Sequence, residues 1–438
     1  MNFFKNIKSL LCFASPIILG QLAQMLIGAG DVLVAARHGV NTVASISIAN
    51  AIITIIFMTG FGLLLSISPV LSKKRGENAD INKFLNITLI YAAALAVIFM
   101  IITLIMTPII PYMGFEKELI PYIQEYIYIC SFSFLGAYIY HALKEFLQAY
   151  EDVLFANTVA ILAVFLNFLI AWILVFGYKF IPTIGVQGLA IATLIVRSLM
   201  GLALIIYCHK FFKKDFYFDK QYLKKILNIG YPISLSLLLE LSAFSFVTIL
   251  VGNISTVQVA AHSIVFTFAS ITFMIPLAIS NALGVRVGYA YGAKNYRDIK
   301  DNLIAALSLS FVVMSVFALM FLSFPEGLMA IFSTDKKIIL TGSGLLFIAA
   351  LFQIFDGTQI TLSGALRGLG STKPILFTML FGYWAVGLPL GIYLAFVKNL
   401  KIFGLWIGLA VALFSCSLIF SAVLIKKLKK CFADAQIV

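Results

Sequence analysis

Twelve stretches of roughly twenty or more predominantly apolar residues run through this chain, at about 11–36, 43–71, 84–110, 121–147, 153–176, 186–209, 226–252, 256–285, 301–323, 338–364, 374–397 and 403–425. Each is long enough to cross the hydrocarbon core of a bilayer as an α-helix. No water is available there to satisfy backbone N–H and C=O groups, so a spanning segment must be a helix or a strand of a closed barrel. Barrel strands alternate apolar with polar residues, and these continuous runs do not. The implied fold class is an all-α polytopic membrane protein with twelve transmembrane helices. Composition agrees: 62% of the 438 residues are hydrophobic, 11% are charged, and mean hydropathy is +1.06. A soluble domain is about half apolar and a quarter charged.

The formal charge of +13 invites a nucleic-acid partner, but its distribution gives another reason. With both termini cytoplasmic, 23 Lys and Arg lie inside, 7 lie outside, and Arg197 sits within the sixth segment. That bias is the positive-inside rule. The expected location is the cell (inner or plasma) membrane, multi-pass, with juxtamembrane basic residues near anionic lipid headgroups. No nucleic-acid partner is expected, and the chain is expected to be a monomer. The start, MNFFKNIKSLLCF, is basic then apolar like a signal peptide. It lacks a small-residue cleavage site and runs into a full-length span, so we read it as retained. Cysteines 12, 130, 208, 416 and 431 form no C-x-x-C pair, and neither a disulfide framework nor a zinc site is expected.

The second half of the chain repeats stretches of the first on one register, at the start and again at the end of each half. Pro16 and Ile17 match Pro232 and Ile233, Val43-Ala44 matches Val259-Ala260, and Phe57-Met58 matches Phe273-Met274. Gly76 matches Gly292, Asn86 matches Asn302, and Gly188-Leu189 matches Gly404-Leu405. Each half holds six spans, an even number, so both copies share one orientation. Parallel repeats of this kind recur in secondary transporters, with substrate and ion sites near the repeat interface. The expected division is an N-terminal six-helix lobe over 1–209, a cytoplasmic linker over 210–225, and a C-terminal six-helix lobe over 226–438 with a basic tail. The Lys- and aromatic-rich linker suits either a membrane-surface position or a solvated connection.

Of eighteen Asp and Glu residues, fifteen fall in loops, in the tail or near helix ends. The exceptions are Asp31, Glu240 and Asp356. A carboxylate at bilayer depth costs several kcal/mol and by default marks a functional path. Polar residues accompany each at helical spacing: Gln24 and Gly28 with Asp31, Ser236 with Glu240, and Gln353, Gln359 and Ser363 with Asp356. Such stripes must face protein or water. The alternative is an ion pair, and Arg197 can neutralise one of the three acids. His262 reads as a packed helix-end residue or, alternatively, a proton relay. No phosphate-binding G-x-x-x-x-G-K-[ST] loop, nucleophile motif or metal-spaced His cluster is present, so neither an enzyme nor a resident cofactor is expected. Coupling to an ion gradient is the remaining energy source.

These residues resemble the multidrug and toxic compound extrusion (MATE) family, most closely its NorM-type branch. The resemblance covers nearly the whole chain. It is carried by "SPIILGQLAQMLIGAGD" (15–31), "GYPISLSLLLELSAFSF" (230–246), "VAAHSIVFTFASITFMIPLAISNALGVRVGYAYGAKN" (259–295) and "FQIFDGTQITLSGALRGLGSTKP" (352–374). It implies two six-helix bundles around a central cavity that opens alternately to either side. It also implies export of amphipathic organic cations in exchange for Na⁺ or H⁺. Asp31 matches the acid of the N-terminal lobe; Glu240 and Asp356 match those of the C-terminal lobe, where Na⁺ would be held. Asn167 matches the first of two asparagines in the fifth helix, and Thr193 a polar residue near the N-lobe acid. Two positions depart from the pattern. Ala171 stands where many NorM-type members repeat the asparagine. Phe352 stands where sodium-coupled members often carry Tyr, and is expected to offer a bound cation its ring face. Pro16 lies 15 residues before Asp31, about 22 Å along a helix, and is either a hinge linked to that acid or a fixed kink. The rival readings are a flippase for lipid-linked oligosaccharides, which needs basic rather than acidic deep charges, and an ion channel.

Overall fold

The computed structural model describes residues 3–178, 182–213 and 218–436. Lys179 and Lys214, counted above on the outer and inner sides, lie outside these, as does part of the expected linker. Twelve helices among the described residues are long and apolar enough to cross a membrane. They are α1 (Phe3–His38), α2 (Val40–Gly76), α3 (Ile81–Met113), α4 (Ile120–Ala149), α5 (Leu154–Phe176), α6 (Val186–Phe211), α7 (Lys220–Gly252), α8 (Thr256–Gly292), α9 (Tyr296–Ser323), α10 (Lys336–Gly368), α11 (Lys373–Val397) and α12 (Lys401–Ala433). Every apolar run read from the sequence is one of them. Several extend past the apolar run, because polar end turns continue the backbone hydrogen bonding: α2 reaches Gly76 through Lys73, Lys74 and Arg75.

The helices gather into two compact units. One holds Leu19–Leu71 and Ala79–Ser234; the other holds the described residues up to Ile18, Ser72–Asn78 and Leu235 onward. Of the three divisions inside helices, two fall just after Pro16 in α1 and just after its repeat partner Pro232 in α7, and the third follows Leu71 in α2. Residues 220–225 of the expected linker are the first turns of α7. There Tyr222 is fully buried, with its hydroxyl 2.8 Å from that of Thr88 and its ring against Phe84.

In the first unit α4 is the central helix, the least apolar of the twelve and the most covered. It packs against α2, α3 and α6. The approach to α6 depends on small residues: a Cβ on Gly136 would lie 2.6 Å from the Arg197 carbonyl oxygen, and one on Gly201 2.7 Å from that of Gly136. Small residues at crossings let membrane helices gain van der Waals contact where lipid removes the hydrophobic driving force. In the second unit α10 plays the central part against α8, α9 and α12. Gly364 and Gly368 meet Ser280 and Gly284 of α8, with Ser280 Oγ donating to the Ile360 carbonyl at 2.6 Å. Gly76 and Gly292, partners in the repeat, also pack reciprocally. A Cβ on Gly76 would collide with the Tyr289 carbonyl oxygen, and one on Gly292 with that of Lys73.

Candidate functional site

Asp31 belongs to the first unit. It is 4% exposed, and its Oδ2 accepts from Thr193 Oγ1 of α6 at 3.2 Å. Its Oδ1 has no hydrogen-bond partner. Asn167 of α5 lies close enough to act on this carboxylate, is 1% exposed, and has neither amide atom hydrogen-bonded. Ala171, one turn further, is fully buried and adds only a methyl group. The structure thus brings together Asp31, Thr193 and Asn167, as the sequence pattern implied. Gln24 is half-buried two turns below, beside Tyr140 of α4. Gly28, on the same stripe, is exposed, with nothing within 4 Å of an added Cβ. Pro16 lies within an unbroken helical stretch of α1.

Arg197 sits one turn past Thr193 on the same face of α6. Its Nη1 donates to Ser133 Oγ of α4 at 2.9 Å, and its guanidinium lies 5.1 Å from the Phe57 ring centroid. The close Gly136–Gly201 crossing places Ser133 beside it.

Glu240 and Asp356 share the second unit, close enough to act electrostatically on each other. Asp356 is 4% exposed and Glu240 half-buried. A residue the sequence reading missed, Tyr383, donates its hydroxyl to Glu240 Oε1 at 3.1 Å and is fully buried. Its position has a local cause. Pro389 lacks an N–H and its ring crowds the carbonyl four residues back, which opens α11 into wider turns. Leu380–Gly387 is a π-helical stretch, a geometry often found at functional sites. It aims Tyr383 at Glu240 and lets the neighbouring Trp384 donate to the Leu239 carbonyl at 3.2 Å. A signal for Tyr383 existed: in the second copy of the repeat it occupies the register that Asn167 holds in the first.

Packing revises the expectations for Phe352 and Glu145. Phe352 is 3% exposed and wedged between Trp406 and Phe244, with centroids 5.6 and 6.3 Å away, so its face is covered by protein. Phe244 is the hub of that cluster, touching Phe266 and Tyr383 as well. The α10 polar stripe faces protein: Gln353 Nε2 donates to Thr272 Oγ1 at 2.6 Å, and Gln359 Nε2 to Met379 Sδ at 3.4 Å. Glu145, set aside as a helix-end acid, is buried and accepts a hydrogen bond from Ser68. His262 is packed as expected. Its Nδ1 accepts from Trp406 Nε1 at 3.1 Å, which leaves Nε2 as the N–H donor toward Thr248 Oγ1 at 3.0 Å.

The MatE family model matches residues 16–173 and 232–393, so its two matches begin at the repeat partners Pro16 and Pro232. A probable multidrug resistance protein NorM from Mesorhizobium japonicum is 31% identical over 423 residues, covering 93% of this chain and 91% of that protein. One of the same description from Photorhabdus laumondii is 27% identical, covering 94% and 93%. A solved structure described as MATE in the bent conformation shares the fold, with a TM-score of 0.90, 18% identity, and coverage of 100% of this chain and 99% of that one. With the family's pattern present in both halves, and a relative of nearly equal length above 30% identity, this chain belongs to the MatE family of membrane transporters and is not an enzyme.

Proposed function

We propose that this protein exports a range of amphipathic organic cations by antiport against Na⁺ or H⁺. The observation that carries the reading is the pairing of Glu240 with Asp356 around Tyr383 in the second unit. Two neighbouring carboxylates at membrane depth repel when both are ionised, and a cation between them removes the repulsion. Proton, sodium ion and organic cation compete for the same negative charge, and that competition is what exchange requires. A ligand shifts a conformational balance only by its differential affinity for the two states; a carboxylate pair whose spacing changes as the lobes alternate supplies that difference. Asp31 with Thr193 and Asn167 forms the N-lobe counterpart. The moving bodies are the lobes 1–209 and 226–438, joined by 210–225. Both termini face the cytoplasm, and a single chain embedded in lipid is the working unit. The multidrug names of the NorM relatives support the substrate class.

The test is efflux of a fluorescent organic cation from proteoliposomes, with a Na⁺ or an H⁺ gradient imposed one at a time. One gradient drives wild-type efflux, and Glu240→Gln and Asp356→Asn each abolish it while inserting normally. Wild-type efflux from both variants overturns the coupling assignment. Ionic current without counter-transport would turn the reading to a channel.

A further inference from the structure

Arg197 acts electrostatically on Asp31 but makes its hydrogen bond elsewhere. A structural arginine at membrane depth is held by a carboxylate, because an intramembrane charge is costly unless paired. Here one guanidinium nitrogen donates to a neutral hydroxyl, Ser133 Oγ at 2.9 Å, and the group rests over the Phe57 ring at 5.1 Å. Meanwhile Asp31, held by Thr193 one turn earlier on the same helix, keeps Oδ1 buried without a partner, and the charge of Arg197 acts on it. The titratable groups of α4 that face this pair are Tyr126, Cys130, Tyr138 and His141. α2 contributes Phe57 and α5 contributes Asn167. Asp31 is the one carboxylate in this set.

We infer that Arg197 is a tethered cation that competes with the transported cations for Asp31. The guanidinium rests on Ser133 and Phe57 when Asp31 is protonated or holds a small cation, and takes the open Oδ1 when the carboxylate is ionised and empty. An arginine is bulky, always charged and offers five donors in a rigid fork. It therefore satisfies the empty site without an ion and leaves room there for a proton or Na⁺ but not for an organic cation. The inference rests on the reading of Asp31 as a cation site, and it assigns organic-cation binding to Glu240 and Asp356.

The decisive experiment follows the infrared carboxyl band of protonated Asp31, assigned by its loss in Asp31→Asn, in purified protein titrated with acid and with Na⁺. Removing a unit charge beside a buried carboxylate changes cation affinity by about tenfold or more. Arg197→Gln is expected to load Asp31 at about tenfold lower cation concentration, and Arg197→Lys to stay near wild type. Ser133→Ala, which removes the resting partner, moves loading the opposite way. The half-saturating coupling-cation concentration for dye efflux shifts with the same sign. Unchanged loading in Arg197→Gln, a shift of the same direction in Ser133→Ala, or no Asp31-dependent band overturns the inference. The titration needs no transport, so a wild-type protein that fails to couple efflux to either gradient refutes the proposed function and leaves this result standing.

Discussion

Replacing Phe352 by leucine and by alanine separates two roles for its ring. The sequence reading points to a ligand position, where the ring face meets a bound cation. The structure points to a strut: 3% exposed, against Trp406 and Phe244, with Phe244 against Tyr383 and Tyr383 donating to Glu240. The magnitudes distinguish them. A desolvated cation–π contact contributes about 2 kcal/mol, roughly thirtyfold in affinity, and any aliphatic replacement loses all of it. A buried strut tolerates a large aliphatic side chain for about 1.5 kcal/mol of stability or less. Truncation to alanine costs about 3–5 kcal/mol through the cavity left behind. The strut reading therefore expects Phe352→Leu to hold organic cations within about threefold of wild type with a small fall in melting temperature. Phe352→Ala should melt much earlier and bind weakly, because Phe244 and Tyr383 lose their backing. Equilibrium binding of a fluorescent cation and thermal unfolding, both on detergent-purified protein, measure the two quantities. A thirtyfold loss of binding in Phe352→Leu with an unchanged melting temperature would refute the strut and restore the ligand role.

Other expectations follow from single contacts. Tyr383→Phe removes the hydroxyl that stabilises the ionised, empty Glu240. Cations should load the pair at roughly tenfold lower concentration, and the effect should vanish in a Glu240→Gln background, read by the same binding assay. Gly368→Leu drives a side chain into the Gly284 carbonyl, 2.6 Å from the Cβ position, and should cost about 1–3 kcal/mol, seen as reduced thermal stability. Outside the membrane, the Lys213 ammonium that hydrogen-bonds Asp80 holds this carboxyl below its usual range. Its stabilisation is thus complete above the unfolded carboxylate value and lost as pH falls through the lowered folded value. Both groups are about half exposed, so the contribution is about 0.5 kcal/mol or less. The melting difference between wild type and Asp80→Asn should be small at neutral pH and disappear in acid.

What could be read without coordinates was whatever a single segment decides energetically. Twelve spans were legible because an unpaired backbone in lipid is prohibitive, so apolar length alone selects a helix. Asp31, Glu240 and Asp356 were legible because a carboxylate at that depth must have a reason. The repeat was legible because Pro, Gly and Asn recur on one register. Thr193 and Asn167 joined Asp31 through pattern rather than physics, and the structure supplied the contact.

Tertiary structure decided the rotation of each helix about its axis. In a soluble protein the apolar face of a helix marks its buried side, but lipid is as apolar as a protein core, so hydropathy here cannot tell one from the other. Hence Phe352 read as lining a site and turned out to be packed against Trp406. Hence also Tyr383, one Tyr of 18, showed its role only once Pro389 opened α11 and turned its hydroxyl to Glu240. Arg197 shows the same limit from the other side. Its depth was visible in the sequence, but its choice of Ser133 and Phe57 over the acid beside it exists only where α4 and α6 meet at Gly136 and Gly201.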